Sequence, residues 1–217
     1  MTQPLEIVDL GLVEYPEAWF LQKKMAEERA QGKIPDTLLL VEHPPVITLG
    51  ASAKADAMLL PFPVYKVERG GDITYHGPGQ LVGYPILHLG ERGLKVRTYL
   101  RMLESVIIDA VAPLGVSAER LAGFTGVWAG GKKIASIGVA VKRSVSYHGF
   151  ALNVDCDLEH FKLIYPCRLE PEQLSSLSQH LGGPIDGAQV KRSVRKAFAD
   201  HLSRTEEPLP TEEAVPA

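Results

Sequence analysis

Cysteine is scarce in this chain. Its 217 residues hold two, Cys156 and Cys167, too few for a disulfide framework. No apolar run reaches the ~18 residues of a membrane span, so no membrane insertion is expected. The opening Met1-Thr2-Gln3-Pro4-Leu5-Glu6 lacks the basic start and apolar block of a secretion signal. Positive charge is not in excess: the net charge of −3 argues against a general nucleic-acid binder. No internal repeat is visible. Neither the phosphate-cradling pattern ending in Gly-Lys-Ser/Thr nor a dinucleotide fingerprint occurs. His43, His76, His88, His148 and His160 show no metal-ligand spacing with the cysteines, so neither a metal nor a cofactor is expected. These absences point to a cytoplasmic protein with reduced thiols.

What is present suits one globular domain. Hydrophobic residues make up 45% and charged residues 23%, enough for one substantial core. That domain is expected over residues 1–204. Residues 205–217 are Glu/Pro-rich with little to bury and read as a mobile tail.

The chain mixes strand and helix signals. Residues 5–10 alternate and predict a strand. Pro16 opens a helix that carries Ala18, Trp19, Gln22, Met25, Ala26 and Arg29 at helical spacing and stops at Gly32. Residues 37–42 read as a buried strand, and residues 46–49 resume extended structure after His43-Pro44-Pro45. Residues 51–60 fit no single pattern. Strands are expected at residues 64–67 and 81–87. Residues 97–111 form the clearest helix, with Tyr99, Met102, Leu103, Val106, Ile107 and Ala110 on one stripe and Pro113 and Gly115 ending it. Residues 127–141 read as a hairpin turning at Gly130-Gly131. A strand over 147–154, a short helix over 158–163 and a last helix over 188–203 complete the pattern. In that last helix Val190, Val194, Ala197, Phe198 and Leu202 face inward. The fold class that follows is α+β, a mixed sheet flanked by helices.

Three features carry chemistry. The first is the stretch Arg69-Gly70-Gly71-Asp72-Ile73-Thr74-Tyr75-His76-Gly77-Pro78-Gly79-Gln80, read as a loop. Four glycines there let the main chain approach a ligand closely. The plainer alternative is a tight turn with a hydrogen-bonded histidine. The second is Cys167, which follows Pro166 outside any periodic run and is a candidate nucleophile if a cation or base lies near. Cys156 differs: it shares strand parity with Leu152, Val154 and Leu158, so a buried, inert thiol is expected. The third is Lys133, which by alternation shares a face with Ala135, Ile137, Val139 and Val141. A lysine at the mouth of an apolar face loses hydration, which lowers its pKa and makes it a better base. It could equally snorkel from a strand end.

The run RGGDITYHGPGQLVGYP over residues 69–85 closely resembles the signature of the lipoyl(octanoyl) transferases, octanoyl-acyl-carrier-protein:protein N-octanoyltransferases. Gly131-Lys132-Lys133-Ile134-Ala135-Ser136-Ile137-Gly138 is similar to the family's lysine segment. Tyr147-His148-Gly149-Phe150-Ala151-Leu152-Asn153 resembles its second substrate-contacting segment, and Tyr165-Pro166-Cys167 its nucleophile segment. One departure stands out: Arg168 occupies the place where the family usually has glycine.

The resemblance implies the fold of the biotin/lipoate protein ligase catalytic domain. It implies that Cys167 takes the acyl group as a thioester and that Lys133 lowers the thiol pKa and serves as general acid and base. It assigns substrate contacts to Arg69, Gly70, Gly71, Asp72, Ile73, Thr74, Tyr75 and His76, to Ser136, Ile137 and Gly138, and to Gly149, Phe150 and Ala151. The implied donor is octanoyl-acyl carrier protein. The implied acceptors are apo lipoyl domains of 2-oxoacid dehydrogenase E2 subunits and the glycine-cleavage H protein. Backbone N–H groups of residues 77–79 or of Cys167 are candidates for an oxyanion site. Lys132, Lys142, Arg143, Lys162 and Arg168 are candidates for meeting an acidic donor protein. Three rivals remain: an ATP-dependent lipoate or biotin ligase, which shares the fold; a noncatalytic acyl-binding module; and a cysteine peptidase.

Overall fold

The computed structural model describes residues 5–53, 61–164 and 173–204. The expected tail at 205–217 lies outside them, as do residues 54–60 and 165–172. Among the described residues ten strands form two sheets. The larger has seven, in the order β1-β2-β6-β10-β9-β8-β7, and the smaller has three, in the order β4-β3-β5. In the large sheet β1 (Leu5–Leu12) runs parallel to β2 (Asp36–Glu42), and the remaining pairs are antiparallel. These are β6 (Gln80–Ile86), β10 (Val145–Asn153), β9 (Lys132–Lys142), β8 (Val127–Ala129) and β7 (Ala118–Glu119). The small sheet pairs β3 (Val46–Leu49) with β4 (Val64–Lys66) and β5 (Ile73–His76).

Alternation along the strands decides what each face holds. One face packs on α2 (Val96–Val111) and α4 (Gly187–Arg204), which also touch each other. The predicted stripes are buried on both helices: Tyr99, Met102, Leu103, Val106, Ile107 and Ala110 on α2, and Val190, Val194, Ala197, Phe198 and Leu202 on α4. They meet Leu81, Ile134, Ala135, Phe150 and Leu152 from the sheet. The opposite face packs Val82, Tyr84 and Ala151 against α1 (Tyr15–Ala30) through Ala18. α1 starts with proline in its first turn and buries Tyr15, Ala18, Gln22, Ala26 and Arg29, close to the expected helical face. Arg29 continues into a buried ion cluster, donating to Asp36 Oδ1 at 2.7 Å. The same carboxylate pairs with Arg92.

The sequence pattern hides the two-residue β7 and two further elements. The glycine-rich stretch is not all loop, since β5 lies inside it. Ile73 and Tyr75 alternate into an apolar cluster with Ile47, Phe161, Ile164 and Leu174, and that burial overrides the flanking glycines. A five-residue helix, α3 (Leu177–Leu181), capped by the Ser176 side chain, is too short to show a period. Gly130 and Gly131 turn the β8–β9 hairpin with φ of 52° and 75°, as expected. Among the described residues no helix is long and apolar enough to cross a membrane.

Candidate active site

A pocket of about 400 Å³ lies where the small sheet meets the strands of the large one, within the range of small-ligand sites. It collects residues predicted from three separate stretches. Arg69, Gly70, Gly71, Thr74 and His76 line it, with Lys133, Ser136, Ile137 and Gly138, and with Gly149, Phe150 and Ala151. Asp72, Ile73 and Tyr75 do not line it. The Asp72 carboxylate accepts the Ile73 N–H at 2.8 Å, and Ile73 and Tyr75 point into the apolar cluster. Cys167 lies outside the described residues, with Tyr165, Pro166 and Arg168.

Backbone packing places the loop at residues 69–71 against β9. The Gly70 N–H donates to Val139 O at 2.9 Å. A Cβ on Gly138 would lie 2.9 Å from Gly70 O, so only glycine allows this approach. The buried Arg69 is spent on structure. Its guanidinium donates to Thr48 O at 2.8 Å, to Thr48 Oγ1 at 2.8 Å and to Gly70 O at 3.1 Å, which ties the loop to β3.

Lys133 is 5% exposed, and its placement corrects the alternation argument. Val127 pairs with Ala135 while the next residue, Trp128, pairs with Lys133. Ile134 is therefore an extra residue, a β-bulge. Ile134 and Ala135 both enter the α2–α4 core, and Lys133 joins Ser136 and Gly138 at the pocket rather than Ala135 and Val141. Its ammonium lies 5.2 Å from the centre of the Trp128 ring, a cation–π distance. The Lys133 backbone is held by the chain that follows the undescribed segment: it bridges Leu174, and Ser175 N–H donates to Lys133 O at 2.9 Å.

Another part of the pocket is polar and aromatic, and of its residues the sequence reading named only His76 as a substrate contact. Tyr15, Tyr84, His76 and His148 line it, and the His43 ring lies 6.1 Å from His76. Sheet order, not any sequence period, brings these residues together. His148 sits mid-strand with φ of 55°, a left-handed conformation rare for a residue with a side chain. Alternation would send its ring into the core with Phe150. Instead its N–H donates to Gln22 Oε1 at 2.8 Å, and its Nε2 lies 3.4 Å from Glu68 Oε2. Gly149 permits the kink, since a Cβ there would lie 2.2 Å from Gly83 O.

Burial keeps all three imidazoles neutral. It pulls His43 and His148 down to about 4 and His76 to about 3, because desolvation disfavours the charged form. A chain of amides sets the His76 tautomer. Ser175 O can only accept, so it takes the Asn153 Nδ2–H at 3.0 Å; Asn153 Oδ1 takes the Gln80 Nε2–H at 3.0 Å. Gln80 Oε1 must then accept from His76 Nδ1–H, at 2.7 Å. His76 Nε2 is left as an acceptor.

Other expectations are corrected. β10 ends at Asn153, so strand parity does not extend to Cys156, which is half-buried. Burial pushes its thiol up to about 12. In the residue 77–79 turn the Gly79 N–H goes to Glu42 Oε2 at 3.1 Å, and residues 77–79 do not line the pocket. Arg143 pairs with Glu27, and Lys162 with Glu159.

Residues 14–199 match the family described as "Lipoyl protein ligase A/B catalytic domain". The chain is 51% identical over 199 residues to the protein named "Octanoyltransferase" of Syntrophotalea carbinolica, covering 91% of this chain and 94% of that one. Among solved structures it resembles lipoate-protein ligase A bound with ATP, with TM-score 0.71 at 15% identity over 94% of this chain and 86% of that one. It also resembles biotin protein ligase from Aquifex aeolicus, with TM-score 0.55 at 14% identity over 95% and 72%. Those likenesses concern the fold, which is the one expected from the sequence. The chain belongs to the lipoyl protein ligase A/B catalytic-domain family, alongside its octanoyltransferases.

Proposed function

We infer that the chain carries out the octanoyl transfer its relatives are named for in two half-reactions, with Cys167 as the acyl carrier and Lys133 as its proton-handling partner. In the first, the Cys167 thiolate attacks the thioester carbonyl of octanoyl-acyl carrier protein. The carbon–sulfur bond to the carrier breaks, and the carrier leaves as a thiol by taking up the proton that Lys133 had removed from Cys167. In the second, the amine of a lysine on an apo lipoyl domain attacks the octanoyl-cysteine. An amide forms, the bond to Cys167 breaks, and the proton released by the amine passes through Lys133. Exchange between thioesters is nearly neutral and amide formation is downhill, so no nucleotide is needed. The acceptors are lipoyl domains of 2-oxoacid dehydrogenase E2 subunits and the glycine-cleavage H protein, and the setting is the cytoplasm.

One observation carries this reading. Lys133 is buried at the pocket, and its backbone is paired with Leu174 and Ser175, which follow Cys167 closely in the chain. Ile164, on the other side of Cys167 in sequence, packs in one cluster with Leu174. An octanoyl chain in the pocket gains about 0.8 kcal/mol per buried methylene, enough to separate eight carbons from four.

Intact-mass analysis after incubation with octanoyl-acyl carrier protein tests it. One octanoyl group is expected on Cys167, released when an apo lipoyl domain is added, and absent in Cys167→Ala. Transfer that proceeds only with ATP, or full activity in Cys167→Ala, would overturn it in favour of an adenylating ligase or another nucleophile.

A further inference from the structure

The loop between β7 and β8 holds apolar side chains out in water, and a buried carboxylate keeps it in place. Leu121 and Phe124 are 43% and 45% exposed, and Val96 at the start of α2 is 46% exposed. The tip is a tight turn in which the Phe124 N–H donates to Leu121 O at 3.1 Å and Gly123 has φ of 82°. Glu104 of α2, 1% exposed, braces both ends of the loop. Its Oε2 accepts from Arg120 Nε at 3.0 Å, and its Oε1 accepts the Gly126 N–H at 3.2 Å. Arg120 Nη2 also donates to Arg101 O at 3.0 Å. A buried carboxylate is costly unless fully paired, and a loop that merely joined two short strands would not need one. Isolated exposed apolar residues are ordinary. Here Val96 and Phe124 line one pocket, and Leu121 stands in the same tight turn as Phe124.

These residues form a rim continuous with the pocket. Val96, Phe124 and Thr125 line its mouth, and a Cβ on Gly126 would meet Lys133 Cε at 2.6 Å. Lys95 and Arg97, on either side of Val96, are exposed, while Arg101 and Arg120 both pair with Glu104, on a chain whose net charge is −3. The first turn of α2 has no acidic residue, although a helix N-terminus favours one.

We propose that this rim is the docking surface for the acidic carrier protein that delivers the tethered acyl thioester. Leu121 and Val96 supply apolar contact, Lys95 and Arg97 meet the carrier's carboxylates, and the acyl arm enters past Phe124. The inference rests on the acyl-transfer reading above. Two observations favour the carrier as occupant: the opposite charge of rim and partner, and a rim that opens directly on the pocket a tethered group must reach.

The test uses the full chain and two variants, Leu121→Asp and the pair Lys95→Glu with Arg97→Glu; none of these residues lines the pocket. Binding of octanoyl-acyl carrier protein is measured in a Cys167→Ser background, where acylation is arrested. Transfer is measured with octanoyl-acyl carrier protein and with octanoyl-pantetheine, which lacks the protein. Carrier binding and kcat/KM with the carrier should each fall about tenfold or more, while kcat/KM with octanoyl-pantetheine stays within about twofold. Retained turnover of the small thioester shows that the variant is folded, and Leu121→Ser serves if Leu121→Asp is not. Carrier binding should weaken with salt in the unaltered protein and lose that dependence on charge reversal. Unchanged carrier binding, equal losses with both thioesters, or a loss confined to the KM of the lipoyl domain would overturn the proposal, the last by assigning the rim to the acceptor. Failure of the unaltered protein to acylate Cys167 would instead overturn the acyl-transfer reading, and carrier binding would still decide the surface.

Discussion

β6, β9 and β10 present two faces that differ in kind. Toward α2 and α4 they offer Leu81, Ile134, Ala135, Phe150 and Leu152, closed over by large apolar helix residues. Toward α1 and the small sheet they offer Gln80, Val82, Tyr84, Ser136, Gly138, Gly149, Ala151 and Asn153, mostly small or polar. The first face is filled. The second leaves a pocket and buries three histidines, an arginine and a lysine beside it. The difference divides the sheet: burial of apolar area holds the fold together on one side, and polar groups are held at fixed positions around a pocket on the other.

The largest effect should come from breaking the filled face. Phe198 is fully buried, and Phe198→Ala should cost about 3–5 kcal/mol of unfolding free energy in urea denaturation. At a temperature where the variant stays folded, its kcat should remain within about twofold. A kcat that fell in proportion to stability would show that the two faces are not separable. Lys133→Ala is the converse change. Both half-reactions should slow by roughly 10²–10³, as for loss of a general acid–base group, while unfolding free energy moves by about 1 kcal/mol or less. Unchanged single-turnover rates of acylation and transfer would remove Lys133 from the chemistry.

Acid should find the pocket face before the filled one. His43, His76 and His148 have folded-state pKa values of about 4, 3 and 4, all depressed by burial. Above about pH 6.5 they are neutral in both states and pH has no effect through them. Below it the unfolded chain binds protons that the folded chain refuses, so stability falls as pH falls from about 6.5 toward 4. Each histidine should cost on the order of 1 kcal/mol by pH 5.5, roughly 4 kcal/mol together if they act independently, at one pKa unit each. On the α2–α4 side the His201 ring of α4 pairs with Asp109 of α2 at 2.7 Å, at the surface edge of the apolar cluster. Urea midpoints at pH 7.5 and 5.5 measure the slope, and a flat profile would mean that the imidazoles are not held neutral.

The filled face was legible in the sequence because its rule is local. A 3.6-residue period on α2 and α4 and alternation on β10 name most of its members without any partner in view. The pocket was half legible. Glycines at residues 70, 138 and 149 announced close approach, and the motifs named one side of the wall. Of the polar end only His76 was named, because Tyr15, His43 and His148 join it only through sheet order and one left-handed residue. Lys133 was found for a reason the structure corrects. Strict alternation assigns it to the core face, and one extra residue at Ile134 moves it to the pocket, a shift that no periodicity test registers. Ile73 and Tyr75 failed to reach the pocket for the same kind of reason, since β5 turns alternate residues of that stretch into an apolar cluster; Asp72, before β5, accepts the Ile73 N–H instead.

The smallest effect sharpens the comparison between the two thiols. Cys156 is half-buried just past the end of β10, between Asp155 and Asp157, with its thiol pushed up to about 12 by burial. Near pH 8 it carries roughly a thousandfold less thiolate than free cysteine, too little to compete as a nucleophile. Cys156→Ala should therefore leave transfer within about twofold and cost at most about 1 kcal/mol of stability. In folded Cys167→Ala protein, iodoacetamide at pH 8 should label Cys156 far more slowly than the urea-unfolded chain, where its pKa returns toward 8.5. Equal labelling rates in the two states, or an inactive but folded Cys156→Ala, would mean that this sulfur meets solvent and substrate as a thiolate, and the distinction between an inert and a working cysteine would have to be redrawn.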